Sequence, residues 1–196
     1  HQSLEDSGMR KMLPDMVVIN TCEFNQTKAA TIAIAGYDGP VYLRFGRPKV
    51  PNFTSPVDEF VIGKALLLNE GTDVSIIATG HLVWKALEAC RILEGKGVSA
   101  EVIDIHTIKP LDKTAILASV AKTGCVVTAE EHQMNGGLGD SIAQLLVRKN
   151  PAPVEMVAVK DVFGESGKPE ELLRKFKLDT PDIVDAAMKV ISRKSM

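Results

Sequence analysis

Cysteine is scarce and scattered: Cys22, Cys90 and Cys125 are the three in 196 residues. An odd number at such separations gives neither a disulfide framework nor a CxxC metal pair, and reduced thiols in a cytoplasmic protein fit best. Charge of one sign is also lacking, the balance being -2 from 23 basic and 25 acidic residues. That leaves no overall electrostatic footprint for nucleic acid, although a local basic patch stays open. No apolar run approaches the length of a membrane span and no secretory apolar region stands near the start, so neither a membrane nor export is expected. His81, His106 and His132 lack metal-ligand spacing. There is no fixed-period repeat and no low-complexity tract.

What is present is an ordinary globular composition, 45% hydrophobic and 24% charged, sufficient for a substantial core and for more than one domain. The stretch at 124–147, GCVVTAEEHQMNGGLGDSIAQLLV, joins three elements in one run. Its apolar, β-branched start at 125–129 fits a parallel strand covered on both faces. Gly136, Gly137 and Gly139 then remove side chains where the chain must bend. Asp140 or Ser141 stands at the expected helix start, and Ile142, Leu145 and Leu146 recur on one helical face. Backbone N–H groups at such a turn can cradle a phosphate. A tight strand-to-helix turn is the plainer reading, because the cluster lacks full dinucleotide or P-loop spacing and no lysine follows Gly139. Glu130, Glu131 and His132 fall at the expected C-terminal end of the strand, where open α/β sheets place ligands. By default they read as solvated loop charges.

The chain opens at His1 rather than methionine, so a preceding segment is expected. Leu4, Gly8, Met9 and Met12 give an imperfect helical face ended by Pro14. Residues 16–20 read as a strand, Asn25 as the cap of a helix over 26–35 that stops at GYDGP, and 41–45 as a second strand. This is half of an α/β domain, whose other strands are expected outside this chain. The segment GRPKVPNFTSP at 46–56 holds three prolines and one glycine, which suits an extended connection and a domain boundary. Beyond it, 60–68 and 74–79 read as strands joined by NEGTD in an antiparallel hairpin, and 82–93 as a helix. A strand at 100–105, a helix at 113–121, a strand at 152–159 and helices at 169–176 and 181–191 follow. The expected fold class is α/β: a three-layer α/β/α domain with a mainly parallel sheet, preceded by a truncated half of a second α/β domain.

HQSLED at 1–6, YLRFGRP at 42–48, IIATGH at 76–81, HTIKPLD at 106–112, TAEEH with GGLG, and ESGKPEELL at 165–173 together span the chain. In that order and spacing they resemble transketolase: its last part, or the separate C-terminal subunit that some bacteria use. The 1-deoxyxylulose-5-phosphate synthases and the β subunits of 2-oxo acid dehydrogenases share the KPLD-type and strand-glycine-helix features. They match HQSLED and SGKPEELL less well.

The resemblance implies that residues 1–56 are the second half of a pyrimidine-binding domain and 57–196 a transketolase C-terminal domain. It implies a cytoplasmic homodimer that, completed by an N-terminal portion or subunit, uses thiamine diphosphate and Mg2+. The complete enzyme would transfer a two-carbon ketol unit between sugar phosphates in the pentose phosphate pathway. The family's diphosphate-binding domain and activating glutamate belong to the part absent from this sequence, so no cofactor is expected on these residues alone, and the chain alone is expected to be inactive. Residue by residue, His1 corresponds to the histidine of a GPTHQ-like motif near the sugar hydroxyls, for hydrogen bonding or proton transfer. Arg47, in FGRP, aligns with the arginine that binds the sugar phosphate, a task suited to a planar, permanently charged fork. Arg44 at the same strand end competes for that role. His81, His106 and His132 read as structural, and Trp84 as packing. A reading of another class is a non-catalytic dimerisation or regulatory module, with a strand-end pocket at GGLG.

Overall fold

The computed structural model describes residues 3–194, so His1 lies outside the described residues. In chain order the elements are α1 (Asp6–Lys11), β1 (Val17–Asn20), α2 (Phe24–Ala35), β2 (Val41–Arg44), β3 (Leu66–Asn69), β4 (Val74–Ala78) and α3 (Leu82–Glu94). There follow β5 (Ala100–Asp104), β6 (Thr107–Lys109), α4 (Lys113–Thr123), β7 (Val126–Gln133), α5 (Leu138–Lys149), β8 (Val154–Val159), α6 (Pro169–Lys175) and α7 (Thr180–Ser192).

The larger sheet has the order β3-β5-β4-β7-β8, with β3 antiparallel to β5 and the other neighbours parallel. Helices α3 and α7 pack on one face, where Ile76, Val102, Val127 and Val159 meet Leu82, Leu93, Ile183 and Val190. On the other face α4 and α5 bring Ile116, Val120, Ile142 and Leu146 onto Ile77, Ile103 and Val126. Both faces of β4 and β5 are thus covered, and every residue of the two strands is buried, the polar Ser75, Glu101 and Asp104 included. The expected three-layer α/β/α arrangement is present.

The expected hairpin is not. All five residues of β4 are buried, so it needs a strand on each side, and β5 and β7 supply them in parallel. The half-buried β3 takes the edge beyond β5 and begins only at Leu66. A short strand that the sequence pattern does not reveal is β6, within HTIKPLD, which runs antiparallel to β1. The smaller sheet is therefore β2-β1-β6, joining a strand from the second portion of the chain to two from the first. Its core is Val17, Ile19, Ala30 and Phe60.

Candidate functional site

The C-terminal ends of β1, β2, β4, β5 and β7 converge, and the side chains there come from residues 20–23, 44–47, 79–81, 104–106 and 130–132. Strand ends gather polar groups because the last carbonyls and the following loops leave the ladder. In β7 the pairing to β8 is interrupted between Ala129 and Gln133, and the three intervening side chains go to different partners.

Glu130 turns inward. It is 1% exposed and accepts hydrogen bonds from Leu138 N (2.7 Å) and Gly139 N (2.9 Å), the first turn of α5. Burial raises its pKa, opposed by those two N–H bonds and by His132 and Lys11. A Cβ on Gly137 would collide with this carboxylate, so glycine there makes room for the cap. The glycine turn is thus an anion seat, as its chemistry suggests, and its anion is the protein's own carboxylate. Neither Asp140 nor Ser141 is the cap, and Glu130 is not a solvated loop charge. His132 is buried as well: its Nδ1 donates to Gln133 O (2.8 Å) and its Nε2 accepts from Gly8 N (3.1 Å), fastening α1 to the sheet.

Glu131 points the other way, with Oε2 3.4 Å from Nδ1 of His81. Burial lowers the His81 pKa; Glu131 opposes that and Arg44 adds to it. A Cβ on Gly46 would overlap the His81 ring, so the backbone of the FGRP segment lies directly against the imidazole. This contact, invisible in either motif alone, holds the loop after β2.

The two arginines of that segment differ sharply. Arg44 is bound by Asp6, with Nε 3.1 Å from Oδ2, and donates to Glu131 O at 3.0 Å. Tyr42 also donates to Asp6, at 2.7 Å. Arg44 ties α1, β2 and β7 together. Arg47 is exposed and has no hydrogen bond or ion pair among the described residues. It stands one residue beyond the Gly46–His81 contact, its five N–H donors open to a ligand.

A second cluster lies under α2. Glu23 caps that helix, accepting from Asn25 N (2.8 Å) and Gln26 N (3.1 Å) and paired with the Thr54 hydroxyl. Asn25, expected as the cap, is inside the helix. Gln26 donates to Asp104 Oδ2 at 2.5 Å and accepts from Cys22 N at 2.8 Å. Asp104 is fully buried, its Oδ1 has no hydrogen-bond partner among the described residues, and burial raises its pKa to about 7. Burial, then the charges of Asp104 and Glu23, drives the Cys22 thiol upward, so it is an inert thiol. His106 stacks on Phe60 with centroids 4.1 Å apart, shares a 2.9 Å hydrogen bond with Thr107 Oγ1, and is held down to about 4 by burial. The three histidines are all engaged in packing or docking, as read from the sequence. Trp84 lies beneath the Lys85 ammonium, 4.2 Å from its ring centroid.

Among the described residues no group of three or more His, Cys, Asp or Glu side chains could hold a metal ion, and no helix is long and apolar enough to cross a membrane. The family model described as "Transketolase, C-terminal domain" matches residues 63–183. The 6-deoxy-6-sulfo-D-fructose transketolase subunit of Clostridium sp. (strain MSTE9) is 45% identical over 195 residues, covering 100% of this chain and 61% of that protein. An apulose-4-phosphate transketolase subunit of Phocaeicola vulgatus is 36% identical, covering 98% of this chain and 62% of its own. A solved chain of a split-gene transketolase, an inactive beta4 tetramer, superposes with a TM-score of 0.96 at 43% identity, covering 99% of this chain and 64% of that one. The chain spans about three fifths of the length of these curated relatives.

Proposed function

The chain belongs to the transketolase C-terminal domain family, and from that premise we propose that it is the C-terminal part of a split, thiamine diphosphate-dependent transketolase completed by a separate N-terminal part. The complete enzyme moves a two-carbon ketol unit between sugar phosphates of the pentose phosphate pathway, in the cytoplasm, as a homodimer of the combined unit. The observation that carries this reading is the 0.96 TM-score at 43% identity to a split-gene transketolase chain. Residues 1–56 then serve as half of the pyrimidine-binding domain and 57–196 as the C-terminal domain.

In this reading Arg47 holds the sugar phosphate, and His1 contacts the sugar hydroxyls. The open guanidinium of Arg47, beside a loop pinned on His81, supports the first role. The cofactor does not fit these residues by themselves. The glycine turn before α5, which could otherwise seat a diphosphate, is filled by the Glu130 carboxylate. Thiamine diphosphate and Mg2+ are therefore assigned to the complete enzyme, and no residue described here is given a part in holding them.

The test is reconstitution. The chain is mixed with an N-terminal transketolase subunit, thiamine diphosphate and Mg2+, then with xylulose 5-phosphate and ribose 5-phosphate. Ketol transfer by the mixture, absent from the chain alone, is the expected result. Turnover by the chain alone, or a mixture that decarboxylates pyruvate and transfers no ketol unit, would overturn the proposal, the latter in favour of a deoxyxylulose-phosphate synthase.

A further inference from the structure

A cleft of about 690 Å³ opens between α5, the turn from β6 into α4, and the end of α1. Six cations line it: Lys11, Lys64, Lys109, Lys113, Arg148 and Lys149. Asp112 is the one carboxylate in the lining, and both its oxygens are taken, Oδ1 by Ala115 N at 3.1 Å and Oδ2 by Ala65 N at 3.0 Å. The cleft is therefore strongly positive in a chain whose overall balance is -2.

Elsewhere the protein pairs many of its cations directly: Lys85 with Asp179, Lys175 with Glu165, and Lys189 and Arg193 with Glu155. Here it does not. The side chains of Lys64, Lys113, Arg148 and Lys149 make no hydrogen bond or ion pair among the described residues. Lys11 donates to Gly137 O and Ser141 Oγ, both at 2.6 Å, and Lys109 to Lys11 O at 3.1 Å and Leu13 O at 2.5 Å. An ammonium has three donors, so each of these anchored lysines keeps one for a ligand. Their anchoring places two charges in advance, which lowers the ordering cost of binding. Like charges gathered in a concavity repel one another and focus a field that attracts anions. The volume lies in the range of small-molecule sites, about 300–1,000 Å³, and Ile108, Pro110 and Leu145 add an apolar wall.

We propose that this cleft binds a small organic polyphosphate, of nucleoside di- or triphosphate type or sharing its pyrophosphate chemistry. Several adjacent cations match several linked phosphates better than a single one, and a cleft favours a small molecule over duplex nucleic acid or a lipid surface. The site shares no residue with the strand-end cluster around Arg47, so the inference stands independently of the ketol-transfer reading.

The test is calorimetric titration of the full chain with ATP and, separately, with inorganic pyrophosphate, at low ionic strength and again at higher salt. The double variant Lys113→Glu/Arg148→Glu is compared with a control elsewhere on the surface, Lys96→Glu. Saturable binding is expected that weakens by about tenfold or more in the double variant, is unchanged in the control, and falls with salt. Equal affinity for the two probes assigns the site to the pyrophosphate group; tighter ATP binding adds the nucleoside. Absence of saturable binding up to about millimolar probe, or binding unchanged in the double variant, overturns the proposal. So does retention of duplex DNA or phosphatidylserine vesicles through the same two residues when neither small anion binds.

Discussion

Arg44 and Arg47 sit three positions apart, yet one has its guanidinium consumed by Asp6 and Glu131 while the other has no partner among the described residues. The FGRP motif marked Arg47 in the sequence, but only the packing explains why the two are not interchangeable. On the phosphate-binding role proposed for it, Arg47→Ala in a reconstituted enzyme should remove one or two charge-assisted hydrogen bonds, each worth about 1.5–3 kcal/mol, and lower kcat/KM for phosphorylated sugars about ten- to a hundredfold. Lysine should restore part of this, and erythrulose, having no phosphate, should be little affected. An equal loss with both substrate types would remove Arg47 from the phosphate. Glu130 was not legible in the same way. Capping signals in a sequence are local, whereas this carboxylate reaches α5 from the preceding strand across a turn of glycines. Glu130→Ala should cost about 2 kcal/mol, since two buried N–H groups lose their acceptor. Urea unfolding would measure it, and an unchanged midpoint would show that the cap is dispensable.

At the scale of elements, the helices and parallel strands of the larger sheet were legible because α3 is long enough to show its helical period and β4 stands out as a short, mostly apolar run. The three-residue β6 shows none, and the pairing of β3 with β5 is decided by which strands must be covered on both sides, a property of the whole sheet. The end of β5 carries a consequence for pH. Burial raises Asp104 from 3.8 to about 7, so between those values the folded state holds a proton that the unfolded chain has released. Its contribution is greatest below the unfolded pKa and is lost as pH rises through about 7. His106, lowered from 6.5 to about 4, works in the opposite sense: its contribution is present above 6.5 and is lost as pH falls toward 4. The two slopes oppose each other across the acidic range. Asp104→Asn keeps an acceptor for Gln26 and removes one slope. Relative to the parent it should therefore gain stability with rising pH, on the order of 4 kcal/mol between pH 4 and pH 8. Denaturant unfolding at pH 4, 6 and 8 is the measurement, and parallel curves for parent and variant would show that Asp104 does not titrate in this range.

For the whole molecule, the two sheets differ in how completely they are closed. The larger one has helices on both faces. In the smaller one β1 is buried along its length and paired on both sides, whereas β2 is only partly buried and, among the described residues, pairs with β1 alone. The same portion of the chain exposes Phe24, Ile32, Tyr37 and Phe45, at 69%, 67%, 41% and 60%. An unpaired strand edge and exposed apolar side chains are what a further layer of protein would cover, and the proposed N-terminal part is the natural candidate. Hydrogen exchange distinguishes this from ordinary surface fraying. In the chain alone, amides of β2 and the outer face of α2 should exchange well ahead of those in β1, β4 and β5. On adding the N-terminal subunit, β2 and α2 should slow by about tenfold or more while β4 and β5, already covered, change little. Protection gained instead along α6 and α7, with β2 unaltered, would place the subunit contact on the other end of the molecule and would separate the half-domain from the assembly proposed for it.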